Sequence, residues 1–339
     1  MDFVMWRKCY NFTCKNLGIS KMANRDVYFD SMKFVLIALV IFGHTLEQFG
    51  NIETNRLSLT TYFSIYSFHM PLFVFISGYF TSPFKTKTAK SVLKIFETFV
   101  VFQLVRLTLN GDWSFSNIMT PQWTLWYLLS LCFWKLGTLI LPPPTSSKTL
   151  CINTIMAFVF VSLCAGFVDI DTELSFQRTF NLFPFFLIGY YAKNNNLVEY
   201  IRSKHRYLSA LLFGTVVLSI FLLNKPLYSL LMFQSTPLLG QVFWKVISLC
   251  ICIIMSGLII NLMPTINGKI AKYGQCTLLF YIAHTFLIQI LHQFDLPNGF
   301  FVSIVYALLV TIVLMLVSRI KGIEKCLNPV SSIIKFLRG

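Results

Sequence analysis

Apolar stretches recur along the chain from Phe34 to Val317, each closed by a short polar break. A hydrocarbon core about 30 Å thick needs roughly 20 apolar residues per helical crossing. The pattern predicts ten spans, near residues 34–50, 60–80, 95–110, 121–141, 150–168, 178–192, 207–223, 240–262, 277–293 and 300–318. Pro142, Pro143 and Pro144 force one break, and the polar run from Lys193 to Asn196 opens another. Connections this short predict antiparallel packing of successive helices. The expected fold is therefore all-α: a polytopic membrane protein with a segment 1–29 before the membrane part, a membrane-embedded domain over 30–319 and a tail over 320–339.

Composition supports that reading. Of 339 residues, 56% are hydrophobic and 12% charged, against roughly 25% charged in a soluble domain. The net charge of +15 would suit a nucleic-acid partner, but the placement of the charges argues against one. With a cytoplasmic amino terminus, all but Arg56, Arg106, Arg178, Lys225 and Lys245 of the 28 Lys and Arg fall in inner segments. Asp112, Asp169, Asp171, Glu173 and Asp295 fall in outer loops. This is the asymmetry that orients spans during insertion. It stays in register only with an even number of spans, so both termini are expected in the cytoplasm.

The first 30 residues lack the apolar run and small-residue cleavage site of a signal peptide. None of the nine cysteines falls in an expected outer loop, so no disulfide framework is expected, and their spacing suggests no metal site. Trp113, Trp123, Trp126 and Trp244 fall near expected outer ends, where indoles suit the lipid–water interface.

Polar residues inside spans carry the chemical information, because a charge at the bilayer centre costs at least about 2.5–3.5 kcal/mol. In the first span Asp30, Lys33, Ile37, Val40, His44 and Glu47 follow steps of three and four and share one helix face. Lys33 and His44 point in nearly the same direction, about 16 Å apart along the axis. One side of this helix thus runs from a cation at the inner surface to an imidazole within the membrane. A carboxylate one turn away can orient that ring. His69 lies two residues before Pro71, whose missing N–H frees a backbone carbonyl and can kink the span. Ser77 and Gly78 are of the size that permits close helix contact.

These residues resemble the integral-membrane acyltransferase 3 family, and most closely its fucose 4-O-acetylase-like branch. RDVYFDSMKFVLIALVIFGH, from Arg25 to His44, looks like the family's first span, with Lys33 and His44 in place. FHMPLFVFISGYF, from Phe68 to Phe80, resembles the second-span signature and is followed by the basic stretch KTKTAK. TLWYLLSL from Thr124, RTFNLFPFFLIGYY from Arg178 and YIAHTFLIQIL from Tyr281 are weaker echoes in the same order. The family often has arginine where Lys33 stands, and lysine lacks the planar fork that grips a phosphate.

The resemblance implies an enzyme of the cell (inner) membrane that moves an acetyl group from cytoplasmic acetyl-CoA to a sugar hydroxyl, with no metal. The donor's phosphates would meet Lys33, Arg25, Lys85, Lys87 and Lys90, with Lys94 beside them. His44 is expected to take the hydroxyl's proton, held by Glu47 or Asp30; a transient acyl-histidine is equally compatible. His69 is the next catalytic candidate. Arg178, Arg106 and Trp126 are the expected acceptor-side contacts, the acceptor being a polysaccharide or glycolipid sugar arriving from the outer face. His284 carries less weight. The alternative class is a multi-span transporter or flippase for a glycan or lipid-linked precursor, which would need no acyl donor.

Overall fold

The computed structural model describes residues 26–165, 173–223, 238–266 and 268–320, with 322, 323 and 327 beyond them. Arg25 and the positions 166–172 and 224–237 therefore lie outside the described residues. The described residues are helical, and no strand occurs among them.

The first helix, α1 (Val27–Phe49), starts at Asp26, whose carboxylate accepts from the backbone N–H groups of Tyr28 and Phe29. Capping of this kind satisfies donors that the first helical turn leaves without partners. Two shorter helices follow, α2 (Arg56–Tyr66) and α3 (His69–Tyr79). Sequence reading expects one span over 60–80, and the structure divides it at Ser67 and Phe68. Pro71 explains the division, because it cannot donate to the carbonyl four residues back.

Beyond a loop lie α4 (Thr86–Asn110), the short α5 (Phe115–Met119) and a tight turn at Trp123–Leu125 that leads into α6 (Trp126–Gly137). The remaining long elements are α7 (Lys148–Cys164), α8 (Phe176–Ala192), α10 (Arg206–Leu223), α11 (Leu238–Leu262), α13 (Thr277–His292) and α14 (Phe300–Val317). Two short helices, α9 (Leu197–Arg202) and α12 (Gly268–Ala271), fill connections.

Each expected span falls on a helix or on a broken pair of helices, but they differ in their fitness to cross a bilayer. By length and composition five stretches among the described residues qualify: Val27–Phe49, Arg56–Tyr79, Phe243–Leu262, Lys272–His292 and Phe300–Val317. Lys148–Cys164 and Arg206–Leu222 are apolar but shorter. α6 has 12 residues, about 18 Å of helix. α4 is interrupted by Lys87, Lys90, Lys94, Glu97 and Arg106, and α8 carries Arg178.

α1 is the axis of the bundle. It packs against α14, α13, the 268–276 segment, α2 and α3. Met32, Leu36, Ile41 and Leu46 on it are fully buried. The outward faces of the peripheral helices are apolar instead: Phe301, Val305, Leu308, Leu309, Ile312 and Leu316 of α14 are all exposed. An apolar stripe of that length is an aggregation hazard in water and a fitted surface in lipid.

The tightest crossing joins α3 to α8. Gly78 lies against the carbonyl oxygen of Phe186, and Gly189 against that of Phe75, so close that an added Cβ would come within 2.0 Å of either oxygen. Without a hydrophobic drive between helices in lipid, small residues at such crossings let backbones approach and gain dispersion contact. Gly78→Ala or Gly189→Ala should therefore force α3 and α8 apart and destabilise the bundle by about 1–3 kcal/mol. A lowered midpoint of thermal unfolding in detergent is the expected readout; an unchanged midpoint for both variants would contradict this packing.

Candidate active site

The site is built around the Phe49 end of α1. Glu47 stands one helical turn beyond His44, and its Oε2 is 3.0 Å from the imidazole Nδ1. A carboxylate only accepts, so the ring nitrogen facing it carries the hydrogen, and in the neutral ring Nε2 presents a lone pair. The His44 side chain is 13% exposed and that of Glu47 37%, so the ring is sheltered while the carboxylate is open. His44 does not face the outer surface of the bundle. Its ring meets Trp123 edge-on at 5.7 Å between centroids, His284 at 5.4 Å and Tyr66 at 6.4 Å.

Trp123 reaches this position at a conformational cost. Its φ is +45°, in a region that bulky residues rarely occupy and that persists only where the surroundings impose it. The surroundings are evident. Gln103, buried on α4, donates to the carbonyl oxygens of Asn117 and Thr120 at 3.1 and 2.9 Å, and accepts from the Gln122 N–H at 2.9 Å. From the opposite side the Tyr281 hydroxyl donates to the Thr124 carbonyl. Arg106 lies 5.4 Å over the Trp123 ring. The turn is thus clamped at both ends, which turns the indole towards His44 rather than out to a lipid–water boundary as the sequence reading expects.

Arg106, expected as an acceptor contact, has its hydrogen bonds committed elsewhere. It is 4% exposed, donates to Gln289 Oε1 and Thr285 Oγ1 on α13, and stacks 3.9 Å over Phe286. It therefore fixes α13 and the Trp123 turn to α4. Arg178 is exposed, with its guanidinium 5.3 Å from the Trp126 ring, and lies within electrostatic range of Glu47, Tyr66 and Tyr281. Arg178 and Trp126 are thus brought together beside the histidine cluster.

His69 lies behind that cluster. It is buried, its Nδ1 is 2.8 Å from the Ile65 carbonyl oxygen, and its ring meets Tyr66 at 4.6 Å, with Tyr66 in turn facing His44. Sharing only the Trp123 indole with these rings, a cavity of about 270 Å³ is lined by Gln48, Trp123, Ile288, Gln289 and His292.

Asp30 and Lys33 occupy the opposite end of α1, so Asp30 has no part in holding His44. Lys33 Nζ is 3.3 Å from Asp30 Oδ1 and 4.7 Å from the Phe80 ring centroid. Gln275 donates to the other Asp30 oxygen at 3.1 Å. Phe80 ends α3 and begins the loop to Lys85, so Lys33 and the basic stretch share one end of the bundle. Lys85, Lys87, Lys90 and Lys94 are all exposed there.

A model of the acyltransferase domain family matches residues 26–320, nearly all of the described chain. The chain belongs to the acyltransferase 3 family. Two nodulation proteins NolL are similar to this family member over 60 residues: the one from Mesorhizobium japonicum (strain LMG 29417 / CECT 9101 / MAFF 303099) at 53% identity and the one from Sinorhizobium fredii (strain NBRC 101917 / NGR234) at 50%. Those matches cover 17% of the chain and 16% of each relative. No solved structure matches it.

Sequence reasoning gave little weight to His284 and none to Gln289 or Thr285. The signal was present: Tyr281, His284, Thr285 and Gln289 repeat at helical spacing, a polar stripe on an apolar helix. Because Arg106 joins that stripe to the Trp123 turn, Arg106→Lys should lose the two-pronged contact. The expected loss is about 1–3 kcal/mol of stability. Gln289→Leu made in the Arg106→Lys background should then cost much less than it does alone; full additivity would show that the two side chains are not coupled.

Proposed function

We propose that this chain is an integral-membrane O-acetyltransferase that moves acetyl from cytoplasmic acetyl-CoA to a sugar hydroxyl of a cell-surface or precursor polysaccharide or glycolipid. The observation that carries the reading is the His44–Glu47 pair, held inside the bundle against Trp123. Membership of the acyltransferase 3 family supports acyl transfer over passive transport.

A sugar hydroxyl is a weak nucleophile at neutral pH. In the proposed reaction His44 Nε2 takes its proton while the oxygen attacks the thioester carbonyl, and Glu47 stabilises the imidazolium that forms. The new C–O bond is made, the C–S bond breaks, and the leaving thiolate takes the proton back from His44. The products are the acetyl ester and the free thiol of CoA. Lys33 and the 85–94 lysines would attract the donor's phosphates at the opposite end, about 16 Å along α1 from His44. The extended pantetheine arm would carry the thioester along that distance. Lys33 and the lysine cluster would act as point charges, without the fork that arginine offers. The acceptor would enter from the His44 end, past Gln48, Gln289 and Trp123, with Arg178 and Trp126 at its side.

This arrangement requires ten crossings in the cell membrane, with both termini in the cytoplasm, so that the lysine cluster faces the donor's compartment. Single cysteines placed at Lys90 and Asp112 should then react with an impermeant thiol reagent from opposite sides. Labelling of both from the same side would rule the topology out.

In vesicles containing the protein, label from acetyl-CoA should appear in the glycan fraction, and mass spectrometry of surface glycans should show one added acetyl. His44→Ala should lower transfer by about 10²–10⁴, and Glu47→Gln by about tenfold, with the detergent-extracted proteins still monodisperse. Wild-type rates in a folded His44→Ala protein would overturn the mechanism.

A further inference from the structure

His284 lies on α13, fully buried, with its ring centroid 5.4 Å from that of His44. Its Nδ1 is 2.9 Å from the Phe280 carbonyl oxygen. A carbonyl only accepts, so Nδ1 must carry the hydrogen, and in the neutral ring Nε2 is a lone pair. That nitrogen has no hydrogen-bond partner among the described residues. A buried acceptor of this kind costs about 1–3 kcal/mol if it stays without a donor. His44 repeats the pattern: Glu47 fixes its Nδ1 and leaves its Nε2 as a second lone pair. Two imidazoles, each with one nitrogen tied down by the protein, therefore stand side by side, their ring centroids 5.4 Å apart.

Resting on the acyl-transfer reading above, we propose that His284 Nε2 is a catalytic-site acceptor that receives a hydrogen bond from the acceptor substrate while His44 receives the proton of the hydroxyl being acylated. A single hydroxyl has one hydrogen and cannot serve both rings. Two neighbouring hydroxyls on one sugar ring can, each donating to one histidine. The substrate class is thus a vicinal diol, and the hydroxyl on His284 sets which of its neighbours is delivered to His44. Trp123 offers an aromatic edge beside His44, and the Gln289 oxygen is already taken by Arg106, leaving its amide N–H groups as donors. Trp123, which meets the His44 ring edge-on, also lines the cavity of about 270 Å³ with Gln48, Gln289 and His292.

Two substitutions separate this role from a structural one. His284→Asn keeps an N–H placed to reach the Phe280 carbonyl and removes the Nε2 lone pair. His284→Gln gives up the backbone bond and puts an amide oxygen near the place of Nε2. Both are compared with wild type and His44→Ala in vesicles supplied with labelled acetyl-CoA, reading label in glycan, and in cells, reading acetyl per glycan by mass spectrometry. The expected result is a loss of about tenfold or more in His284→Asn, with His284→Gln retaining most of the transfer. Activity retained by His284→Asn, with or without His284→Gln, would overturn the proposal, as would equal loss in both. If wild type transfers no label, the acyl-transfer reading itself has failed; if His44→Ala transfers as well as wild type, the role of His44 as base fails, and with it the pairing proposed here. A dead His44→Ala beside a fully active His284→Asn removes only the role of His284.

Discussion

A histidine placed within a helical bundle must have its ring nitrogens accounted for, and the rest of this architecture follows from how that is done. His44 settles one nitrogen with Glu47 a turn away on the same helix. The pair is therefore set by α1 alone and needs no other element to exist. What the other elements supply is enclosure. Trp123 from the turn before α6, Tyr66 from the end of α2 and His284 from α13 close around the free side of the ring. α1 can serve both as axis and as the helix that carries the His44–Glu47 pair because its other faces are packed by α14, the 268–276 segment and α3.

The enclosure is held by polar clamps rather than by apolar packing alone. Gln103 occupies the backbone groups of the 117–122 loop, and Tyr281 takes the Thr124 carbonyl. Between them Trp123 keeps a backbone conformation that an unconstrained chain would leave. Arg106 joins α4 to α13 and lies over the same indole. Such a network, fully satisfied in a low-dielectric interior, rigidifies what it connects. Rigid placement of a base and its neighbours is what proton removal from a weak nucleophile demands.

Much of this was legible in the sequence where a single helix carries the information. The i, i+3 spacing of His44 and Glu47, and that of Asp30 and Lys33, translate directly into the observed pairs, because helical geometry fixes such neighbours. The same logic allowed Asp30 as a partner for His44, and there it failed: direction repeats along a helix, but height does not, and fourteen residues amount to about 21 Å. Pro71 marked the division between α2 and α3. The roles of Arg106, Trp123 and His284 were not legible, since each depends on contact across more than 150 residues of chain or on a backbone angle that no pattern of polarity reveals. An indole near an expected span end reads as an interface anchor until a tertiary clamp turns it inward.

The two ends of α1 also differ in kind, and that difference has a chemical consequence. At the Lys33 end four exposed lysines on the 85–94 stretch are solvated, while Lys33 itself rests on an aromatic ring and a carboxylate. Solvated cations attract a polyanionic ligand over a range set by ionic strength and release it again when its charge has been screened. At the His44 end the polar groups are few, directional and mostly sheltered, as hydroxyl recognition requires. A cofactor-sized anion and a neutral hydroxylated molecule would therefore be sorted to opposite ends by electrostatics alone. In the proposed reaction the step that both molecules share, proton removal beside the thioester, would fall where α1 carries its only imidazole.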